Sequence, residues 1–139
     1  MNSITGITDI NVGMRVEETF SFSREELNIF GKIATDFAPV HYDSAVAKSM
    51  GYENCLVFGF LVASKFSGLL GNQLPGPASV LHQVSWKNLK PVYVGNAIKY
   101  IVTVKQVAVS VKAVVLDLQG LNEAGEKVIV GTAQCGFIR

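Results

Sequence analysis

A nearly unbroken apolar segment in the middle of the chain constrains the fold more than any other feature. Residues 59–70 have the sequence GFLVASKFSGLL, with apolar side chains almost all the way around a helix. Such a helix must be buried on most sides, because its apolar surface would otherwise face water. We therefore expect a central helix over residues 59–70 that other parts of the chain wrap.

Four strand-like segments downstream can provide this wrapping. They are rich in Val, Ile, Leu and aromatic residues, and they cover residues 78–89, 97–109, 111–121 and 127–138. Turn signals occur at Gly95-Asn96 and over residues 122–125. A parallel sheet would need crossover helices, and none lies between these segments. We therefore predict an α+β fold in which a curved antiparallel sheet is rolled around the central helix. One apolar sheet edge is a candidate for pairing across a dimer.

The first half of the chain is predicted to be helical. The expected elements are a helix over residues 24–35, a loop over residues 36–42 and a short helix over residues 43–50. Ser23 and Glu26 form a capping box at the start of the first helix. Pro39 disfavours helix at the preceding residue, which indicates the loop. Gly51 is typical of the end of a short helix.

Length and composition favour one domain over residues 1–139. The chain has 49% hydrophobic and 17% charged residues. A chain of this length buries roughly two thirds of its unfolded surface, so it needs neither disulfides nor a structural metal. Twelve basic and eleven acidic residues give a net charge of +1, which lacks the basic excess that nucleic-acid binding requires. We expect no nucleic-acid partner.

The sequence offers no signal for a membrane span, secretion or a metal site. The longest mostly apolar stretch, residues 55–63, is shorter than the roughly 20 residues of a membrane-spanning helix. The N-terminus lacks the basic start of a secretory signal, so we expect a cytoplasmic location. Cys55 and Cys135 lie far apart among apolar residues and are expected to be free core thiols. With His41 and His82 they lack the ligand spacings of a zinc site.

An acid/base pair is the strongest chemical signal in the sequence. Asp36 and His41 lie five positions apart on the predicted loop, whose path Pro39 partly fixes. A carboxylate and an imidazole at this spacing can share one water, and adding or removing water needs such a pair of groups within hydrogen-bond reach. The alternative is structural, with Asp36 capping the turn after the first helix and His41 capping the next one.

Residues on the strands carry weaker signals. His82 alternates with apolar residues on the face that also carries Trp86, which favours a partly buried histidine over a catalytic one. Lys87 and Lys90 lie near the end of the same strand. They could contact the phosphates of coenzyme A, but solvated surface lysines explain them more simply.

Three segments resemble the MaoC-like (R)-specific enoyl-CoA hydratase/dehydratase family. Asp36, Pro39 and His41 match the family motif D-x-N-P-x-H. The segment VFGFLVASKFSGLLGNQLPG, residues 57–76, is similar to the family sequence V-H-G-M-L-x-A-S-x-F-S-G-L-L-G-x-x-L-P-G. The resemblance reappears at LKPVYVGN, residues 89–96.

The resemblance implies a hot dog fold, a homodimer and reversible hydration of a trans-2-enoyl thioester to an (R)-3-hydroxyacyl thioester. The substrate would be carried by coenzyme A or acyl carrier protein, and no cofactor is implied. Asp36 would be the base towards water, and His41 would hold the same water and assist proton delivery. Gly59 would present its backbone N–H to the thioester carbonyl, and Ser67 would lie near the active site.

Two positions depart from the family pattern. Ala38 replaces the motif Asn, and Phe58 replaces the His that precedes the glycine. With these changes, the chain could instead be a catalytically altered or inactive partner subunit that binds acyl thioesters. A hot dog acyl-CoA thioesterase is a further alternative, although residues 56–71 contain neither Asp nor Glu.

Overall fold

A curved five-stranded antiparallel sheet packs around one long helix. The computed structural model describes residues 3–138. The strands are β1 Arg15–Phe20, β2 Ser79–Asn88, β3 Ile98–Ala108, β4 Ala113–Leu121 and β5 Lys127–Phe137. The helices are α1 Arg24–Ala34, α2 Ser44–Ser49 and α3 Gly59–Asn72, and 3₁₀ turns lie at Ile7–Asp9, Pro39–His41 and Val109–Val111. The predicted α+β class, the three helices and the four later strands are confirmed.

Strand β1 was not predicted, because its sequence lacks an apolar pattern. The segment RVEETF carries three charged residues, and only Val16 is buried. Pairing with β3 holds it in the sheet, with Arg15 opposite Thr103 and Phe20 opposite Ile98. A distant strand supplies this pairing through the backbone, so the expectation of a wholly helical first half is wrong.

The strand order exposes β2 along one edge of the sheet. The order is β1-β3-β4-β5-β2, so β1 and β2 have neighbours on one side only. Three apolar residues of β2 are partly open to solvent: Val80 is 57%, Leu81 44% and Val84 37% exposed. An edge strand that presents both apolar side chains and unpaired backbone groups is suited to pairing with another chain.

A bulge in β2 turns His82 to the opposite face from Trp86. The register between β2 and β5 shifts at His82, and such an extra residue reverses the alternation of side chains that follow. The His82 imidazole lies where a Cβ on Gly136 would point, so it shares the face of Gly136. Trp86 is paired with Gly131. Gly131 and Gly136 are an odd number of residues apart on β5, so they face opposite sides of the sheet. His82 is also exposed. The predicted shared face and partial burial are therefore wrong.

Helix α3 supplies the centre of the core. Its buried side chains are Leu61, Val62, Phe66, Leu69 and Leu70. Tyr100 of β3 is fully buried, and its hydroxyl donates to the Val62 carbonyl at 2.7 Å. Phe60 of the same helix is nevertheless 70% exposed. The helix is thus covered on most sides, as predicted, and open on the face that carries Phe60.

Candidate active site

The end of α1 places the Asp36 carboxylate. Thr35 takes a left-handed conformation with φ 54°, and the Asp36 N–H donates to the Gly31 carbonyl at 3.0 Å. The Tyr42 hydroxyl donates to the Asp36 carbonyl at 3.0 Å. One carboxylate oxygen, Oδ1, accepts from the Ala38 N–H at 3.0 Å. These bonds fix the backbone of Asp36 and leave its other carboxylate oxygen, Oδ2, free to face His41.

The hydrogen bonds of His41 determine which ring nitrogen faces Asp36. The ring Nδ1 lies 2.9 Å from the Leu56 carbonyl. Because a carbonyl only accepts, Nδ1 carries the proton, and Nε2 of the neutral ring is an acceptor. Nε2 lies 3.9 Å from Asp36 Oδ2. Arg24 donates to the His41 carbonyl at 2.8 Å and ties this turn to the start of α1.

The distance between Asp36 and His41 suits one bridging water. At 3.9 Å, Oδ2 and Nε2 are too far apart for a direct hydrogen bond. A water about 2.8 Å from each atom can donate one hydrogen to each of them. Its oxygen lone pairs then remain available to an electrophile. The structure therefore brings the two predicted residues together in an arrangement that can activate water.

Phe58 lies beneath the histidine and outside the space available to a substrate. Its ring stacks on the His41 imidazole with centroids 4.0 Å apart and an interplanar angle of 26°. It is only 2% exposed, and Phe30 and Tyr42 pack around it. The apolar replacement at this position thus supports the plane of the imidazole.

A cleft of about 260 Å³ opens beside the histidine. Its polar lining includes His41, Tyr52, Asn88 and Lys90, and apolar residues such as Leu56 and Val62 complete it. Gly59, at the start of α3, lies in the same wall. The ammonium group of Lys90 is 3.0 Å from the carboxylate of Glu126. The cleft therefore brings the His41 imidazole and a helix N-terminus to one surface.

The N-terminus of α3 has backbone donors without an internal partner. The N-cap residue is Phe58, which provides no side-chain hydrogen bond to the helix. Ser, Thr, Asp or Asn at this position would normally accept from the first N–H groups. The helix dipole also favours negative charge at this end. Because Gly59 lines the cleft, its N–H is a candidate donor to an oxyanion there.

Asn88 is a site residue that the sequence did not identify. It is the last residue of β2, and its carboxamide lies over Gly59. A Cβ added at Gly59 would be 2.7 Å from Asn88 Nδ2. No motif marks this asparagine, because the contact depends on where β2 ends relative to the start of α3.

Ser67 lies apart from the cleft. It lines a second cavity of about 210 Å³ between α3 and β2, together with Phe60, Ser64 and Trp86. Ser67 is eight residues after Gly59, which corresponds to about 12 Å along a helix. Ser67 is thus not among the residues that line the cleft beside His41, and its place near the active site stays a prediction.

The two thiols are part of the packed interior. Cys55 and Cys135 are free and buried, as expected. Burial raises the pKa of the Cys135 thiol to about 11, so this thiol is protonated at neutral pH. Within residues 3–138, His, Cys, Asp and Glu form no group of three or more that could hold a metal ion. Among the helices of the same residues, none is long and apolar enough to cross a membrane.

Comparison with known proteins identifies the family. A family model described as "MaoC like domain" matches residues 8–123. The chain therefore belongs to the MaoC-like family, and its sheet around α3 is the hot dog fold that the resemblance implied.

Two relatives and one solved structure illustrate this similarity. An (R)-specific enoyl-CoA hydratase from Aeromonas caviae is 32% identical over 124 residues, covering 89% of this chain and 92% of that protein. A solved structure described as the (R)-hydratase from A. caviae involved in PHA biosynthesis has a TM-score of 0.88 at 31% identity. It covers 92% of this chain and 97% of its own. A mitochondrial 3-hydroxyacyl-[acyl-carrier-protein] dehydratase from Arabidopsis thaliana is 33% identical over 97 residues, covering 70% of this chain and 57% of that protein.

Proposed function

We propose that this protein is a lyase that reversibly adds water to a trans-2-enoyl thioester and yields the (R)-3-hydroxyacyl thioester. The observation that carries the proposal is the pair of acceptors, Asp36 Oδ2 and His41 Nε2, 3.9 Å apart. His41 lines a cleft that also contains Gly59 at the free N-terminus of α3, and Asp36 faces the histidine. Membership of the MaoC-like family supports the same activity.

The reaction follows from the roles of these groups. Asp36 takes a proton from the shared water while the water oxygen bonds to C3 of the substrate. The electron pair of the C2–C3 double bond moves towards the thioester, and negative charge develops on the carbonyl oxygen. The Gly59 N–H stabilises that charge. The proton is then returned to C2, with His41 assisting its delivery, so the net change is addition of one water.

Hydration fits the cleft better than thioester hydrolysis. Residues 56–71 contain no Asp or Glu, so α3 offers no carboxylate to activate water at its start. Glu26 approaches this helix, but its carboxylate lies 3.8 Å from the Lys65 ammonium and is 45% exposed. The carboxylate that faces His41 belongs instead to the loop after α1.

We propose that the protein works as a homodimer formed through β2. Its open edge and the exposed Val80, Leu81 and Val84 are the surfaces that a second copy would cover. The second cavity borders the same strand, so dimerisation would also enclose Ser67. In this arrangement Ser67 would line an enclosed cavity at the dimer interface and would not contact the shared water.

We also propose a substrate carrier and a cellular setting for this chemistry. Residues 1–139 would act as one domain that accepts an acyl thioester of coenzyme A or acyl carrier protein. Asp36, His41 and Gly59 supply the proton transfers and the oxyanion donor, so we propose a reaction without a cofactor. Free buried thiols are compatible with a reducing compartment, and we propose a cytoplasmic enzyme of fatty acid metabolism that provides (R)-3-hydroxyacyl precursors for polyhydroxyalkanoate.

Loss of the enoyl absorbance of crotonyl-CoA tests this function. We expect the wild-type protein to consume crotonyl-CoA, and Asp36→Asn and His41→Ala each to lower kcat by roughly a hundredfold or more. Asp43→Asn is the matched control, since Asp43 caps α2 and asparagine caps a helix equally well.

Three results would contradict the proposal. Undiminished activity in both site variants would exclude the shared-water chemistry. Release of free thiol from saturated acyl-CoA would indicate a thioesterase. Binding of acyl-CoA without either reaction would indicate an inactive partner subunit.

A further inference from the structure

We propose that Asn88 is a second hydrogen-bond donor to the thioester carbonyl oxygen, acting with the Gly59 N–H. This inference rests on the proposed function and adds a catalytic residue to it. Neither the family motif nor the acid/base pair accounts for Asn88, and its position in the cleft is the reason to assign it a role.

The carboxamide of Asn88 is aimed at the first residue of α3. Relative to the Cβ position of Gly59, Asn88 Nδ2 is at 2.7 Å, Cγ at 3.3 Å and Oδ1 at 3.6 Å. The donor end of the amide is therefore the end nearest the helix. Asn88 is exposed, so a molecule that enters the cleft can reach this donor.

The two donors reach the cleft from different elements. Gly59 presents a backbone N–H from α3, and Asn88 presents a side-chain N–H from the end of β2. Both residues line the cleft that contains His41. A substrate carbonyl that accepts from Gly59 therefore lies beside the Asn88 amide, while its double bond extends towards the histidine.

A second donor is chemically useful at this position. Negative charge grows on the carbonyl oxygen as water adds, and two donors stabilise such charge better than one. Residue 38, on the loop that carries Asp36, is alanine and offers no side-chain donor. The packing also explains glycine at 59, since a side chain there would displace the carboxamide.

The kinetic test compares Asn88→Ala and Asn88→Asp with wild type. We expect Asn88→Ala to lower kcat about tenfold to a hundredfold with little change in KM, because the lost bond strengthens in the transition state. Asn88→Asp, which replaces the donor by a negative charge, should lower kcat further. Asn72→Ala, at the other end of α3, is the control and should retain wild-type kcat.

Binding of a chromophoric thioester separates this inference from the hydratase proposal. The absorption of 4-dimethylaminocinnamoyl-CoA moves to longer wavelength when its carbonyl accepts hydrogen bonds, and this needs no turnover. We expect the shift in wild type and a smaller one in Asn88→Ala. An active wild type, with unchanged kcat and shift in Asn88→Ala, would overturn the role of Asn88 alone. An inactive wild type whose shift depends on Asn88 would overturn the hydratase and support the donor. No shift in wild type would overturn the donor, whatever the activity.

Discussion

Gly31→Ala tests whether Tyr42 fixes the Asp36 carboxylate. Gly31 is buried near the end of α1, and a Cβ there would collide with the Tyr42 hydroxyl. It would also lie 3.2 Å from Tyr42 Cζ and 3.2 Å from the Asp36 carbonyl oxygen. The same hydroxyl donates to that carbonyl. The substitution must therefore move Tyr42 and the backbone that carries Asp36.

The expected magnitude follows from three contributions to the free energy of unfolding. Alanine in a helix gains about 1 kcal/mol over glycine. Loss of the hydroxyl bond costs about 1 kcal/mol, and overpacking costs about 1–3 kcal/mol. The net change is a loss of about 1–3 kcal/mol, or a decrease in Tm of about 4 °C for each kcal/mol. Displacement of the carboxylate should also lower kcat about tenfold or more.

A double-mutant cycle with Tyr42→Phe gives the decisive result. Phenylalanine at position 42 lacks the hydroxyl that the new Cβ would displace, so in the Tyr42→Phe background only the two contacts at 3.2 Å remain. The gain of about 1 kcal/mol from alanine in the helix offsets them, and Gly31→Ala should cost close to nothing. Thermal unfolding and crotonyl-CoA turnover are measured for all four proteins. A single Gly31→Ala variant that is about 1 kcal/mol more stable than wild type, with unchanged kcat, would refute this packing argument.

Two further predictions concern the helix cap and the edge strand. Ser23→Ala should lower the free energy of unfolding by about 1 kcal/mol. Hydrogen bonds from Ser23 lower the pKa of Glu26. The stabilisation by Glu26 is therefore present above the ordinary glutamate pKa and is lost as pH falls through its folded pKa. In urea unfolding, a wild-type advantage over Glu26→Gln that grows with acid would contradict this sign. Val80→Lys should convert the proposed dimer to a monomer of 15.0 kDa in sedimentation. Val12→Lys, which is also at an exposed site, should leave the dimer intact. A wild-type protein that sediments as a monomer would exclude the dimer.

Helix α3 and strands β2 to β5 could be predicted because the apolar residues that indicate each of them lie within the segment itself. The segment that became α3 is apolar enough to require a wrapping sheet, and the four later segments have the composition of strands. Strand β1 has one buried side chain, Val16, and depends on its pairing with β3. His82 changed face because of a bulge that alternation alone does not indicate.

The site was predictable where residues close in sequence stay close in space. The spacing of Asp36 and His41 suggested a pair, and two local turns bring them to 3.9 Å. The support of His41 by Phe58 and the approach of Asn88 to Gly59 join elements that are distant in sequence. Their geometry depends on the complete fold, so the sequence alone did not reveal either contact.

A crystal structure at a resolution that shows ordered water would test the central claim most directly. We predict one water about 2.8 Å from both Asp36 Oδ2 and His41 Nε2, with its oxygen directed into the cleft. Side chains that turn away from each other, or separate waters on each with none in common, would contradict the account.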